Sequence, residues 1–427
     1  MKVFFDFRNN IFLKKSEEKI MREIKARKCF FNLAILLSLI SFGFLSALSA
    51  QIPKPKMDGF IDTTYNYDFN RPLSGRSNYR FFDQRTNNFL LNAVQINVDG
   101  AGQEGIGYHG EFAFGTDPSA YKAAGTNSLA ESPNSAGGPS NVAYNFEIQE
   151  AFLTYNWNTY PIGVKLGKFA SLGGLEVIES MNNFTISRGY LFFGAKPYTH
   201  VGAILGYTTP FNIDFWIGLV NGWDLHVDNN TDKTLVMKVG INLSENLNGS
   251  LSFYRGAEQN ADNSNKRTTI DTTWFLKPLA NTSLGLQLLY GQENGVSRID
   301  SNSDGFMDTP LGTAKWYGFN LQGKYDFTEK ISLGSRFEIF QDLGGGRILA
   351  PYVNAGIFPA GTFRGDVLHN FTLTPAYKFS DALLLRTEFR YDWAIEELFE
   401  GTSGLSNGGL PTERKMATVS LEVVYKF

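Results

Sequence analysis

The residues in this chain that could do chemistry are mostly charges set two apart. Arg386, Glu388 and Arg390 form one such row, and Arg336 with Glu338 forms another. Two-residue spacing places each row on one face of a strand. Lys165, Lys168 and Lys238 lie in similar alternating segments, with Glu111 and Glu150 as opposing acids. The stretch 171–197 carries a second set, chiefly Glu176, Glu179 and Arg188. Acids on an inserted loop facing bases on a wall would set a field across a narrow gap and limit its size, since charges at close quarters select ions. These residues are therefore the expected lining and constriction of a passage. Plain solvated polar residues are the duller alternative.

One motif has metal mechanics. Asp300-Ser-Asn302-Ser-Asp304-Gly305-Phe306-Met-Asp308 offers oxygens at positions 1, 3, 5 and 9 and a glycine at position 6. That matches the start of an EF-type calcium loop. Position 12 is Leu311 where a bidentate Glu is needed, and no helical pattern flanks the segment. Asn, Asp, Gly and Ser are also what any solvated loop contains. Calcium on Asp300, Asn302, Asp304 and Asp308 is thus one expectation and a simple outer loop the other.

Catalysis finds little support. The chain has four His and one Cys, and no His-Glu-x-x-His pair occurs. The Gly-x-Ser-x-Gly spelling at Gly404-Leu-Ser406-Asn-Gly408 sits in a Gly/Ser/Asn-rich loop stretch and lacks the strand-to-helix pattern of a nucleophile elbow. His109 and His200 fall on alternating segments, His226 on a loop, and His369 at a position read as facing the interior. His200 reads as a structural hydrogen-bonding residue rather than a base. No enzyme and no organic cofactor is expected.

The elements that must position these charges are short strands. Period-2 alternation picks out sixteen, from 57–68 to 413–427. In the last, Ala417, Val419, Leu421, Val423 and Tyr425 alternate with Thr418, Ser420, Glu422 and Lys426. In another, Leu383, Leu385, Thr387, Phe389 and Tyr391 face away from Arg386, Glu388 and Arg390. A charged face of that kind cannot meet lipid, where each charge costs about 2–4 kcal/mol at the midplane. It must line a lumen. Connections alternate between short ones, such as 158–161 and 328–330, and long ones, such as 171–197 and 342–366. The expectation is an all-β, closed, antiparallel transmembrane barrel of about sixteen strands, with short periplasmic turns and long outer loops. Sixteen strands leave a channel where eight would be filled by side chains.

The front end is separate. Arg22, Lys25, Arg27 and Lys28 precede an apolar run from Phe30 to Leu45, and Ala47-Leu48-Ser49-Ala50 offers a cleavage site. Residues 1–50 are therefore expected to be an N-terminal extension and cleavable signal peptide, and 51–427 the barrel. Cys29 precedes the apolar run, so the mature chain has no cysteine. From 39 basic and 42 acidic residues in all, about 30 and 38 remain after residue 50. That acidic balance argues against a nucleic-acid partner. The 37 Phe, 19 Tyr and 6 Trp suit aromatic girdles on short strands.

Arg188-Gly-Tyr-Leu-Phe-Phe-Gly-Ala-Lys-Pro-Tyr-Thr-His200-Val-Gly202, followed by Asn221-Gly-Trp-Asp224 and Asp228-Asn-Asn230, resembles the OmpL-like putative β-barrel porin family. The resemblance implies an outer-membrane porin, in which small hydrophilic solutes or ions diffuse through a water-filled barrel. It also implies contact with the lipid bilayer and lipopolysaccharide. Phe427 would be the C-terminal handle read by the barrel-assembly machinery, and a homotrimer would follow the habit of sixteen-stranded porins. The rival is a non-channel outer-membrane barrel serving as a surface adhesin or binding protein.

Overall fold

The structure, a computed structural model, describes residues 54–102, 105–121, 145–297, 312–343, 346–348, 366–402 and 411–427. The signal-peptide segment 1–50 and the calcium motif at Asp300, Asn302, Asp304 and Asp308 lie outside these residues.

Sixteen strands run in chain order: β1 Lys56–Asp68, β2 Asn88–Ala101, β3 Ile106–Gly115, β4 Asn145–Asn156, β5 Ile162–Ala170, β6 Thr199–Thr208, β7 Ile213–Val220 and β8 Thr234–Ser244. They continue with β9 Leu247–Ala257, β10 Lys266–Leu279, β11 Thr282–Ser297, β12 Gly312–Asp326, β13 Ile331–Leu343, β14 Asp366–Lys378, β15 Leu383–Ala394 and β16 Lys415–Lys426. A one-turn helix, α1, spans Asp117–Tyr121. Each strand pairs with its sequence neighbours, and β16 returns to β1, so the sheet closes as a barrel. At that seam Phe60 faces Lys426 and Asp68 faces Thr418, antiparallel throughout. Closure leaves no edge strand, which a hydrocarbon environment requires because an unpaired N–H or C=O there has no water to bond.

Alternation decides which side chain faces which medium. On β16, Thr418, Ser420, Glu422 and Val424 are buried inside, whereas Val419, Leu421, Val423 and Tyr425 are exposed outside. On β15, Arg386, Glu388, Arg390 and Asp392 point inward and Phe389 outward. Outer-face aromatics gather near the short turns. Tyr155 packs on Trp157, Tyr325 on Phe327 and Tyr377 on Phe379, with ring centroids 4.6–4.9 Å apart. Near the long loops, Tyr65 packs on Phe89 and Tyr391 on Trp393. Two such belts are where amphipathic rings settle at the two faces of a bilayer.

His369 departs from its expected interior position. It shares the outer face of β14 with Phe371, and its ring lies parallel to Trp393 at 5.0 Å. The inward row of β14 is Leu368, Asn370, Thr372 and Thr374, all fully buried. That polar row fixes the parity and puts His369 in the aromatic belt.

Turns at one end are short: two residues separate β8 from β9 and β10 from β11. Asn212 closes another with φ of 58°, a left-handed conformation its short amide tolerates. The opposite end carries the long connections, and the one between β5 and β6 turns into the barrel.

Candidate pore constriction

The segment 171–198 leaves β5, crosses the barrel interior and returns to β6. It has almost no regular structure, with only a 3-10 turn at Ser180–Asn182 and a π-turn at Leu191–Ala195. Its backbone polar groups therefore need other partners, and the inward charges of β13–β16 supply them.

Glu388 accepts the backbone N–H groups of Ile186 and Ser187 at 2.6 and 3.1 Å. Glu338 accepts those of Tyr190 and Leu191 at 2.6 and 2.8 Å. Arg336 donates to the Glu176 carboxylate at 2.7 Å, to Thr185 Oγ1 and to the Ser187 carbonyl. Arg386 pairs with Glu422 across the β15–β16 ladder and donates to the Asn183 carbonyl at 3.1 Å. Arg390 pairs with Asp392 and donates to the Arg188 carbonyl at 2.8 Å. Tyr190 Oη completes the clamp by donating to Asp392 at 2.6 Å.

Gly189 is where wall and loop come closest. A Cβ there would lie 2.6 Å from both Glu338 oxygens, so only glycine lets the carboxylate reach the next two amides. The loop's far tip reaches the seam, where Ser180 Oγ donates to Asp62 at 2.7 Å and Met181 packs on Phe60 and Val424. Beneath it, at the short-turn end, a cavity of about 150 Å³ lies between Met181, Phe184, Lys324, Lys330 and Arg386.

This arrangement corrects one expectation. Arg336, Glu338, Arg386, Glu388 and Arg390 are inside the barrel, but each is 3% exposed or less. They do not face a water-filled gap from the loop's acids. Glu176 and Arg336 are in contact, and the two wall glutamates meet amides rather than bases. Burying an unpaired charge is far costlier than leaving it in water, so charges that leave the solvent do so only in contact with partners.

Arg188 turns away from this wall toward α1. It donates to Asp117 at 3.0 Å and lies 4.3 Å from the Phe82 ring centroid. Burial pushes the Asp117 carboxyl up against the pull of Arg188. Above, Tyr79, Phe82, Tyr121, Tyr190, Phe192, Tyr198, Trp223 and Trp316 form one buried aromatic cluster at the long-loop end. Lys196 is buried beside it, over the Phe192 ring, and burial holds its ammonium down to about 8. Asp224, which accepts the N–H groups of Tyr198 and Thr199, is pushed up to about 6 by burial.

The other expected residues lie across the interior. Lys168 is buried against Glu147. Lys165 is half-buried with its Nζ 3.9 Å from the Phe152 ring centroid, and Lys238 is half-buried on β8. Glu179, on the loop, receives a hydrogen bond from Gln149 of β4. The loop therefore divides the expected set: five wall charges are sealed behind it, while Lys165 and Lys238 keep some water.

Residues 54–427 match the family described as "Putative beta-barrel porin-2, OmpL-like". The chain belongs to that family. As an OmpL-like porin it also shares its fold with solved outer-membrane barrels at low identity. An anion-selective porin from Comamonas acidovorans superposes with a TM-score of 0.55 at 10% identity, covering 88% of this chain and 99% of that one. OmpF of Salmonella typhi, in complex with daunomycin, gives 0.53 at 11% identity, covering 88% and 98%. The trimer form of OmpT from Vibrio cholerae gives 0.51 at 10% identity, covering 88% and 99%. Among curated proteins no sequence match was found. The family and fold together place the OmpL-like porin among bacterial outer-membrane barrels.

Several clamp residues of this porin carried no signal of their own in the sequence. Asp62, Asp117 and Asn370 become partners only through pairings 71 to 118 residues apart or through strand register. Asp392 differs, because alternation in the sequence already sets it on the face of Arg386, Glu388 and Arg390.

Proposed function

We propose that this porin is a channel for small hydrophilic solutes or ions, and that its water path runs along β3–β8. The observation that carries this is the one-sided docking of segment 171–198. The loop is held to β13–β16 by buried charges, while His109, Glu111, Glu150, Lys165, Asp214 and Lys238 on the opposite wall stay partly exposed. Both signs are present there, which favours weak ion preference over strong anion selection. Glu176, Glu179 and Arg188 act in this reading as struts that fix the constriction's width. Transport is passive, without catalysis or an organic cofactor.

The same reading puts the mature barrel in the outer membrane after export to the periplasm and removal of residues 1–50. Its partners are the bilayer and lipopolysaccharide on the outer face, the barrel-assembly machinery at Phe427, and two further copies in a trimer.

Reversal potentials and single-channel conductance of refolded protein in planar bilayers test this. Discrete conductance steps, altered by Lys165→Glu and Lys238→Glu but not by a lipid-face change, are the expected result. Folded protein that inserts and conducts nothing overturns it. The buried aromatic cluster at the long-loop end favours the second reading, a non-conducting barrel that displays its loops as an adhesin or binding protein.

A further inference from the structure

His109, Glu111 and Glu150 converge on the interior wall where β3 meets β4. His109 and Glu111 are two apart on β3 and so share a face. Glu111 sits directly opposite Glu150 in the ladder, and the register shifts just beyond Glu111. Two carboxylates placed squarely across a ladder repel, and a fold retains such a pair only where something offsets it. The bulge leaves both Gln149 and Glu150 facing inward, a re-aiming that bulges often perform beside functional sites.

The donor atoms are arranged as ligands. One atom from each of His109, Glu111 and Glu150 lies within 4.8 Å of the other two. His109 Nε2 and Glu111 Oε1 are 3.2 Å apart, about the edge of a tetrahedron built on 2.0–2.2 Å metal bonds. Each ligand is also oriented from behind. Asp99 Oδ1 holds His109 Nδ1 at 2.6 Å, the carboxylate–histidine arrangement that fixes the ring tautomer in metal sites. The imidazole stacks on Phe152 at 4.9 Å. Glu111 Oε2 accepts from Gln149 at 2.6 Å, and Glu150 Oε2 accepts the Ala170 N–H at 3.0 Å.

A separate observation points the same way. Gln149 is 2% exposed, and while its amide nitrogen is spent on Glu111 and Glu179, its Oε1 is buried without a partner. Of the bases on this wall, Lys165 rests on the Phe152 ring and forms no ion pair with these acids among the described residues.

We infer that His109, Glu111 and Glu150 form a divalent transition-metal site of the zinc type on the barrel wall, with Asp99 as the residue that positions His109. One imidazole and two carboxylates suit Zn²⁺ better than Ca²⁺ or Mg²⁺, which take oxygen alone. Three protein ligands leave a coordination position open to water or to a passing ligand. The site needs no open channel, so its occupancy and the transport reading stand or fall separately.

Zn²⁺ titration by calorimetry on untagged, refolded full-length protein in detergent tests the site. Saturable binding of one Zn²⁺ per chain is expected. His109→Ala and Glu150→Gln should each weaken it by about 100-fold or more, and Asp99→Asn by about 10–100-fold. His226→Ala, altering a histidine that contacts Glu147 instead, should leave it unchanged. Wild-type protein that binds no Zn²⁺ overturns the inference, as does binding indifferent to His109 or lost with His226. Zinc-edge X-ray absorption on loaded wild-type protein decides the case even where a variant fails to fold. A nitrogen and oxygen shell with imidazole scattering supports the site, and a shell without imidazole excludes it.

Discussion

Arg336 and Glu176 meet at 2.7 Å between barrel wall and inserted loop, with neither side chain more than 2% exposed. Their contact is the centre of a network in which Arg336 also bonds Thr185, Ser187, Asn370 and Thr372. Such a pair adds little by itself, because desolvation of both ions cancels most of their attraction. Its value lies in where it holds the loop.

Removing one partner should therefore hurt more than removing both. Arg336→Met leaves Glu176 buried and unpaired, which should cost about 3–5 kcal/mol, whereas Arg336→Met with Glu176→Leu should recover much of that. Denaturant unfolding in lipid vesicles measures the difference. A double variant that loses the sum of the two single losses would show that the pair is not coupled.

The wall glutamates hold amides, so they should govern the loop's order more than the barrel's. Glu338→Ala combined with Glu388→Ala strips acceptors from four loop N–H groups. The expected result is a folded barrel with faster proteolysis inside 176–191, and faster swelling of liposomes in larger sugars. Unchanged cleavage and unchanged exclusion size would refute the anchoring role.

Gly189 offers a steric test of the same contact. Gly189→Ala must push a methyl into the Glu338 carboxylate, and overpacking of this kind costs about 1–3 kcal/mol. Ala at Gly240, where the closest atom would lie at an ordinary 3.4 Å, is the control and should be nearly silent in the same unfolding assay.

Lys196 gives the pH dependence a sign. Burial, opposed by Asp271, Asp224 and Glu176, lowers its folded value from 10.5 to about 8. Between those values the unfolded chain carries the extra proton, so stability rises with pH there and is lost as pH falls through 8. Lys196→Met should abolish that slope and be more stable than wild type at pH 7, by something of order 3 kcal/mol. Thermal unfolding from pH 7 to 11 reads it directly. A variant that keeps the wild-type slope assigns the effect elsewhere.

Leu421 is exposed on the outer face between Thr387 and Tyr65. Leu421→Arg should destabilise the inserted barrel by up to about 2–4 kcal/mol, depending on its depth in the bilayer. Full tolerance of arginine there in vesicles would contradict a lipid-facing assignment.

The barrel was legible in the sequence because its signal is local. Alternation on β15 and β16 needs only a ten-residue window, and strand count and loop asymmetry follow from repeating that window. His369 shows the limit of reading one residue instead of a row, since Asn370, Thr372 and Thr374 already claimed the interior face. That loop 171–198 would carry charges was also visible, but their partners were not. Glu388 and Ile186 lie 202 residues apart, and no period connects them. For the same reason the spacing of His109 and Glu111 was readable, while Glu150 joined them only through ladder register and a bulge.

The grip of Glu338 and Glu388 on backbone N–H groups has an evolutionary consequence. A carboxylate that binds an amide does not recognise the side chain attached to it, and the exposed Val177 and Asn182 take no part in the grip, so these two positions can drift with little effect on the loop's path. Ser187, Gly189, Tyr190 and Leu191 are fixed more closely, by Arg336, by space, by Asp392 and by burial in the core. Relatives of this barrel could thus retune what the loop presents to a solute without redesigning how it is mounted.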